Sequence, residues 1–356
     1  MKHLICIHGP WQALAAAAAW RQHEDAAGGD QPDVLLYAPE SQQELLDTMA
    51  AYAARLFAGA AVHIASTDQW STECAELGRR LGAEASDART VWVTKIFSPA
   101  EKELLAAFPC ARVVLYEDGL HSYLQQERAD TLLRRALDWV DPGVASRRTE
   151  VERAGYIDNQ RQRVDRCYWL LRDALPVPPY LAGAAQHDLS WEGIRTCIGI
   201  VDADAPPRAG GDGALFLGQC FAEYGALARD TELEGYRETI ARIAEHGMRV
   251  VWKEHPRNQR PFFPELRREL GDAIVEAETS ATEPIELLAS RAQYSACVSV
   301  CSSSLFYLPR LTGTPSYTLA AEPWINRISY RDFRKIATMT AGHIAPVNDF
   351  YAEHPQ

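Results

Sequence analysis

Two adjacent carboxylates stand where an apolar segment ends, in 111-ARVVLYEDGLHSY-123. Asp118-Gly119 is typical of a turn, and a solvated Glu117 beside that turn is the simplest interpretation. Two like charges next to a buried strand also raise the pKa of one carboxyl group, which suits a general base. The pair therefore either marks an ordinary strand end or contains the general base of a catalytic site.

A second polar segment, 250-VVWKEHPR-257, also follows an apolar run. His255 can donate a proton near neutral pH, and Pro256 fixes the backbone that carries its ring. Lys253 and Arg257 add positive charge on both sides of it. The two cations fit a solvated strand end as well as they fit a binding site. The His-Pro pair between them fits a solvated strand end less well. We therefore expect this segment to face an anionic group.

Three consecutive serines in 296-ACVSVCSSSLFYL-308 precede a predicted helix. Backbone N–H groups and hydroxyls at a helix N-terminus can bind an anion together. An ordinary N-cap needs only one serine, so the triplet Ser302, Ser303 and Ser304 favours phosphate binding.

A weaker candidate is Glu286, at the start of a helix predicted in 282-TEPIELLAS-290. Helix capping is its default role, and a ribose-binding carboxylate is the alternative. With the three clusters above, it suits inverting transfer of a group from a nucleotide phosphate. Cations and helix dipoles can neutralise the leaving phosphate, so we predict no metal and no cofactor beyond the donor substrate.

The segments that must position these residues alternate between apolar strands and helical stretches. The predicted strands are HLICIH, DVLLYA, AVHIAS, TVWVTKIF and ARVVLYED, followed by TCIGIVDA, ALFLGQ, MRVVWKEH, AIVEAE, YSACVSV and PSYTLA. Apolar strands that alternate with helices form parallel sheets covered on both faces. Ligands bind such sheets at the carboxyl ends of the strands, where the acidic, histidine and serine clusters lie.

The length and composition fit two domains of this kind. A chain of 356 residues exceeds most single cores, and an apolar fraction of 47% is ample for globular packing. The proline- and alanine-rich segment 173–191 predicts the seam. We predict an N-terminal domain over 1–185 with the base, a donor-binding domain over 186–320, and a segment over 321–356 that packs back on the N-terminal domain.

The charge and cysteine content restrict the partners and the compartment. A formal net charge of −12 argues against nucleic acid, although a local positive pocket can hold an anionic substrate. Eight scattered cysteines without a CxxC pair predict reduced thiols. No stretch approaches the apolar length of a membrane helix. Gly9-Pro10 interrupts the first apolar run, so we interpret this run as structure and predict a cytoplasmic protein.

The motifs, in this order, resemble those of the bacterial sialyltransferases, most closely the α-2,8-polysialyltransferase-like group. LICIHGPWQAL is similar to the opening strand and helix of that family, and ALFLGQCFAE to the strand that opens its second domain. Glu117-Asp118-Gly119 resembles its acidic-acidic-glycine motif, and KEHPR contains its His-Pro motif. PIELL resembles its helix with a ribose-contacting glutamate, and SSSL its serine pair. The resemblance covers nearly the whole chain.

The resemblance implies a GT-B fold: an α/β protein with two Rossmann-like, doubly wound parallel-sheet domains facing a central cleft. It implies CMP-sialic acid as the donor and Glu117 as the general base, with Asp118 and Gly119 shaping the loop that carries it. The glutamate at the base position, where many relatives have aspartate, favours the polysialyltransferase-like branch.

On the donor side, the resemblance implies that His255 is the acid or electrostatic partner of the departing phosphate, with Pro256 fixing its backbone. A serine pair would bind that phosphate, and its register, 302–303 or 303–304, stays open. Glu286 would hold the ribose.

The acceptor is expected to be a bacterial surface glycan, as in capsule or lipooligosaccharide biosynthesis. Three arginine clusters, at 133–135, 146–148 and 161–166, fit solvated helix faces better than a track for a long polymer. We therefore expect transfer of one or a few acid sugars. Relatives act at the inner face of the cytoplasmic membrane, which implies a peripheral association.

Three alternatives stay open at this point. The donor can be CMP-Kdo or another CMP-activated acid sugar. The chain can be a non-catalytic, CMP-binding GT-B protein. UDP-sugar chemistry on the same fold, such as an epimerase or a different transferase, ranks last because the three motifs together resemble those of CMP-using families.

Overall fold

A computed structural model of the chain describes residues 2–23, 31–81, 89–96, 98–108, 111–124, 164–178, 181–204, 213–280 and 282–354. The chain divides into two compact units, Met1–Cys197 and Ile198–Gln356. Each unit contains one parallel β-sheet with helices, as the sequence predicted.

The first unit is built on a seven-stranded sheet in the order β3-β2-β1-β4-β5-β6-β7. Its strands are β1 (His3–Ile7), β2 (Asp33–Ala38), β3 (Ala61–Ser66), β4 (Thr90–Val93), β5 (Arg112–Tyr116), β6 (Val164–Trp169) and β7 (Ala185–Asp188). The described helices are α1 (Pro10–Gln22), α2 (Gln43–Leu56), α3 (Trp70–Arg80), α4 (Pro99–Ala107), α5 (His121–Leu124) and α6 (Trp191–Val201). The strand order reverses between β1 and β4, so the carboxyl ends of these strands flank the switch point where such sheets bind ligands.

The second unit has a six-stranded sheet in the order β10-β9-β8-β11-β12-β13. Its strands are β8 (Ala214–Leu217), β9 (Val250–Lys253), β10 (Ile274–Glu276), β11 (Ala296–Ser299), β12 (Ser316–Thr318) and β13 (Ala345–Pro346). Its helices are α7 (Arg229–Glu245), α8 (Phe263–Leu270), α9 (Ile285–Arg291), α10 (Ser304–Leu311), α11 (Arg331–Ala341) and α12 (Val347–Glu353). Here the order reverses between β8 and β11.

Gly218, directly after β8, has a packing role. A Cβ atom at this position would lie 2.7 Å from Cζ2 of Trp252, a fully buried side chain of β9. Only glycine lets the chain leave β8 against this indole without displacing it. The glycine therefore fixes the path of the loop that follows β8.

One predicted strand is wrong. The segment 196-TCIGIVDA-203 was predicted as a strand, but it forms the second half of helix α6 and its end. Ile194, Cys197, Ile198 and Val201 recur at helical spacing and are all buried. The helical period therefore prevails over the β-branched composition of this segment.

The unit boundary also differs from the prediction. The seam was placed at 185/186, but β7 pairs in parallel with β6 and so belongs to the first sheet. The boundary falls at 197/198, inside α6.

The last segment, 321–356, was predicted to pack on the first domain, and the structure assigns it to the second unit. Strand β13 pairs in parallel with β12, and helix α12 packs on β12. The hydroxyl of Tyr317 in β12 also donates a hydrogen bond to Glu353 Oε2 over 2.5 Å.

Three further features concern only the described part of the chain. Its seven cysteines are free and buried, and Cys110 lies outside it. It contains no helix long and apolar enough to cross a membrane. Its histidine, cysteine, aspartate and glutamate side chains form no group of three or more that could hold a metal ion.

Candidate active site

The predicted turn lies directly after β5. Gly119 has a φ of 82°, a backbone conformation that glycine adopts without strain. The N–H of Ser122 donates to the carbonyl oxygen of Gly119 over 3.0 Å, and the N–H of Asp118 donates to Ser122 Oγ over 2.8 Å. These bonds start helix α5 and fix the directions of both carboxylates.

Glu117 is fully buried. Its Oε2 accepts hydrogen bonds from the Tyr123 hydroxyl (2.5 Å), the Leu170 N–H (2.5 Å) and the Leu171 N–H (3.2 Å). A buried carboxylate needs such donors, and here the loop after β6 supplies two of them. In this arrangement, Glu117 joins the ends of β5 and β6.

Asp118 has a different environment, because its largely buried side chain is paired with a cation near the switch point of the first sheet. Lys95 Nζ lies 2.6 Å from its Oδ2, and the side-chain amide of Gln12 donates to its Oδ1. Burial alone would raise the pKa of Asp118, but Lys95, His8 and the bond from Gln12 lower it to about 2. The expected upward shift from the adjacent carboxylates is therefore absent at Asp118.

A set of residues around Asp118 was missed by the sequence analysis. Gln12 Nε2 lies 3.0 Å from His8 Nε2, and Gln12 Oε1 accepts the N–H of His8 over 2.9 Å. His8 Nε2 also lies 3.2 Å from Thr94 Oγ1 and 3.7 Å from Glu101 Oε1. His8 follows β1 and Lys95 follows β4. The rule that chemistry lies just after apolar runs could have identified both residues.

His255 lies after β9, and its ring orientation is fixed on both sides. The Arg257 N–H donates to Nδ1 over 3.2 Å, and Nε2 lies 3.7 Å from Cys220 Sγ. Burial and then the Lys253 charge lower the pKa of His255 to about 4, so the ring is neutral at pH 7. Because Nδ1 accepts a hydrogen bond, the proton of the neutral ring is on Nε2.

The two cations beside His255 differ from each other. Lys253 is buried, and burial lowers its pKa despite nearby glutamates, of which Glu283 has the largest effect. Arg257 is exposed, and its guanidinium donates to the Tyr224 hydroxyl. Only Arg257 therefore presents its charge at the surface.

The serine triplet at the start of α10 divides into two parts. Ser304 is buried and its hydroxyl donates to Glu286 Oε1 over 2.7 Å. Ser302 and Ser303 are half-buried, and Ser302 Oγ accepts the Ser304 N–H over 3.2 Å. Burial raises the pKa of Glu286, against the opposing effects of the Ser304 hydroxyl, its own N–H and Lys253.

Gln219 connects the strand ends on both sides of the second switch point. Its side-chain amide donates to Ser299 Oγ over 3.0 Å, and its backbone carbonyl oxygen accepts from the Asn258 side chain over 3.0 Å. Ser299 ends β11, and Asn258 follows the His-Pro pair. Gln219 is buried and therefore holds the histidine and serine loops rather than facing a ligand.

The second unit thus brings together at one sheet edge the predicted histidine, serines and Glu286. Glu117 and Asp118 lie in the first unit. Of the three arginine clusters, those at 133–135 and 146–148 lie outside the described residues, as do 161–163.

The family model for α-2,8-polysialyltransferase (POLYST) matches residues 3–321. The chain belongs to the α-2,8-polysialyltransferase family. As a polysialyltransferase-family member, it is a glycosyltransferase that uses a nucleotide-sugar donor and a glycan acceptor. No curated protein matches the chain.

Solved structures show the fold that this polysialyltransferase-family chain shares. A UGT transferase from Siraitia grosvenorii in complex with UDP has a TM-score of 0.51 at 10% identity, over 98% of this chain and 87% of that chain. A protein described as a UDP-N-acetylglucosamine 2-epimerase from Listeria monocytogenes has a TM-score of 0.51 at 12% identity, over 90% of this chain and 79% of that chain. At these identities the likeness shows the GT-B fold alone and leaves the donor open.

Proposed function

We propose that this protein transfers sialic acid, or a related nonulosonic acid, from a CMP donor to a hydroxyl of a bacterial surface glycan. The observation that carries the proposal is the hydrogen bond between Ser304 and Glu286, at the sheet edge that also holds His255. It joins the candidate phosphate site to the candidate ribose site, which is what a nucleoside monophosphate requires. The family match supports the acid sugar.

The donor phosphate is proposed to bind between His255 and the start of α10. The neutral His255 ring offers its Nε2–H, and Ser302 and Ser303 offer hydroxyls beside the backbone N–H groups of the helix start. Because Ser304 is engaged with Glu286, we favour the 302–303 register for the serine pair. As the bond from the sugar to the phosphate oxygen breaks, these donors stabilise the negative charge on the departing CMP.

The general base is assigned to Glu117. The pKa of Asp118 is about 2, so this carboxylate is a weak base near neutral pH. Its partners Lys95 and Gln12 hold the side chain in place. In the proposed step, the acceptor oxygen attacks the anomeric carbon, its proton passes to Glu117, and CMP leaves from the opposite face with inversion. Acceptor binding must then replace at least one donor that now occupies the Glu117 carboxylate.

We propose that the reaction needs no metal. The donors at the second sheet edge, with the exposed charge of Arg257, are the groups assigned to neutralise the phosphate. The cytoplasmic location and the peripheral membrane association stay predictions.

One observation favours a second candidate, a non-catalytic CMP-binding protein. Glu117 is fully buried, and Tyr123, Leu170 and Leu171 all donate to its carboxylate. CMP-Kdo or another CMP-activated acid sugar as donor stays within the leading proposal, because His255, the serine pair and Glu286 are assigned to the nucleotide and not to the sugar.

Isothermal titration calorimetry with CMP, dCMP, UMP and UDP tests the nucleotide assignment. Wild-type protein should bind CMP most tightly of the four nucleotides. Glu286→Gln should weaken CMP binding but leave dCMP binding little changed, because CMP has the 2′-hydroxyl that dCMP lacks. Preference for UDP in the wild type would reject the CMP assignment. Equal weakening of CMP and dCMP would reject a 2′-hydroxyl contact for Glu286.

A further inference from the structure

The loop that carries His255 lies beside an unusual patch of exposed aromatic rings. Among the described residues, four large apolar or aromatic residues are exposed to solvent. Their exposed fractions are 39% for Val62, 58% for Ile64, 45% for Tyr224 and 49% for Tyr330. The first two lie on edge strand β3 in the first unit. The two tyrosines both contact one ring, Phe333, with centroid distances of 5.5 and 5.3 Å.

This aromatic platform, defined as Tyr224, Tyr330 and Phe333, is rigidly attached to the core. Phe333 packs edge-on against the fully buried Phe221, with their centroids 5.1 Å apart. The N–H of Ser329 donates to the Ala226 carbonyl over 2.7 Å, which ties the segment before α11 to the loop after β8. A contiguous patch of exposed rings, unlike a single exposed apolar side chain, is a candidate binding site.

The platform also carries positive charge next to the proposed leaving phosphate. The Arg257 guanidinium donates to the Tyr224 hydroxyl and lies 5.8 Å from its ring centroid. The backbone N–H of the same arginine contacts His255. Arg331 and Arg334, on the helix that supplies Phe333, are exposed and form no ion pair within the described ranges.

We propose that this platform binds a carboxylated pyranose, with the C–H face of the sugar on the tyrosine rings and its carboxylate at Arg257. The inference rests on the proposed function, because it identifies where an acid sugar contacts the donor-binding unit. Aromatic rings supply apolar area with little loss of side-chain entropy, and a guanidinium matches the planar geometry of a carboxylate. The sugar is either that of the donor or the terminal acid sugar of the acceptor.

The test compares a double variant, Tyr224→Ala with Tyr330→Ala, with a matched control, Ile64→Ala, which removes an exposed apolar side chain in the other unit. The double Tyr→Phe variant keeps the rings. KM is measured for CMP-sialic acid, for an α-2,8-linked disialoside acceptor and for a neutral lactoside acceptor, and Kd is measured for CMP. Arg257→Gln is assayed in the same way.

The double alanine variant should raise one KM about tenfold and leave the Kd of CMP within about twofold of the wild-type value. The Ile64→Ala control should keep all these constants within about twofold of the wild-type values. A higher KM for CMP-sialic acid identifies the donor sugar as the occupant. A KM that rises more for the disialoside than for the lactoside identifies the terminal acid sugar of the acceptor. The Phe variant should retain most of the affinity. Arg257→Gln should raise the same KM and, because Arg257 is also assigned to the phosphate, should weaken CMP binding as well. Unchanged KM values, or equal effects on both acceptors with the donor unaffected, would overturn the proposal.

Failure of the proposed function has a separate signature. Saturation-transfer NMR with the disialoside and CMP needs no turnover and reports which sugar protons contact the protein, and comparison with the double alanine variant assigns that contact to the tyrosines. If wild-type protein transfers nothing but shows this contact and loses it in the double alanine variant, the platform assignment stands. If wild-type protein shows no contact and no variant changes any KM, the platform assignment fails.

Discussion

The hydroxyl of Tyr123 donates to the carboxylate of Glu117 over 2.5 Å, and the N–H of Leu171 contacts both side chains. This shared donor links the turn after β5 to the loop after β6. Burial, followed by the Glu117 charge, raises the pKa of Tyr123, so the phenol keeps its proton and remains a donor. The proposed base is thus oriented by a residue only six positions later in the chain.

The two adjacent carboxylates should differ in their contribution to the reaction. Glu117→Gln should lower kcat by about 10²–10⁴-fold, because it removes the proton acceptor while retaining the side-chain shape. Asp118→Asn should lower kcat less, because this carboxylate is already ionised and held by Lys95. Steady-state kinetics with CMP binding as the control checks this prediction, and a larger loss in Asp118→Asn would reassign the base.

His255 should act as a neutral hydrogen-bond donor. His255→Ala should lower kcat by about 10²–10³-fold, as for loss of a donor to developing charge, and His255→Gln should recover part of this because its amide can donate near the Nε2 position. ¹⁵N NMR at pH 7 should show the Nε2–H tautomer. An imidazolium signal at that pH, or no difference between the Ala and Gln variants, would contradict this role.

The low pKa of His255 also has a consequence for stability. The folded state loses its proton at about pH 4, whereas the ordinary value is 6.5, so the unfolded state binds more protons between these values. The contribution of His255 to the free energy of unfolding is therefore fully present above pH 6.5 and is lost as the pH falls through 4. Urea unfolding of wild type and His255→Gln at several pH values should show this difference.

Glu232 should give the opposite pH dependence. It is fully buried in α7 and accepts hydrogen bonds from Tyr236 and from the Ala222 N–H. Burial raises the pKa of Glu232 from 4.5 to about 7, against the opposing hydrogen bonds, so the folded state binds more protons between these values. The free energy of unfolding should fall by on the order of 3 kcal/mol as the pH rises through this range.

Glu232→Gln is the matching experiment, because the amide stays neutral at every pH. Its unfolding free energy should show a smaller decline between pH 4.5 and 7 than that of the wild type. Parallel curves for the two proteins would show that Glu232 does not titrate in this range.

Two glycines should respond to alanine in opposite directions. Gly218→Ala should destabilise the protein by about 1–3 kcal/mol, because the added methyl group overlaps the Trp252 ring. Gly199→Ala, in α6 with no atom within 4 Å of the added Cβ, should stabilise it by about 0.5–1 kcal/mol. Thermal unfolding of both variants checks the pair, and equal shifts would contradict the packing role of Gly218.

The sequence was sufficient for the parts of the fold that depend on continuous apolar runs. DVLLYA and AVHIAS coincide with β2 and β3, and the runs before Glu117 and His255 end where β5 and β9 end. Strand β7, with the polar sequence AQHD, has no such signal and forms only because β6 provides an edge to pair with. For this reason the seam predicted at 185/186 differs from the division of the two units at 197/198.

The environment of the candidate base could not be predicted from local sequence. Two donors to Glu117 come from residues 53 and 54 positions later, and the placement of Leu170 and Leu171 depends on the pairing of β6 with β5. Asp118 owes its low pKa to Lys95 and Gln12, which follow two other strands. His8 and Lys95 themselves were within reach of the sequence rule that found the other strand-end residues.

The most direct test of the central claim is transfer from a labelled donor. Purified protein with CMP-N-acetylneuraminic acid and a sialoside acceptor, in buffer with EDTA, should release CMP and form a glycoside of inverted anomeric configuration, detected by NMR. His255→Ala should reduce both products together. Transfer from UDP-sugars but not from the CMP donor, or CMP binding without any turnover on an acceptor panel, would contradict the account.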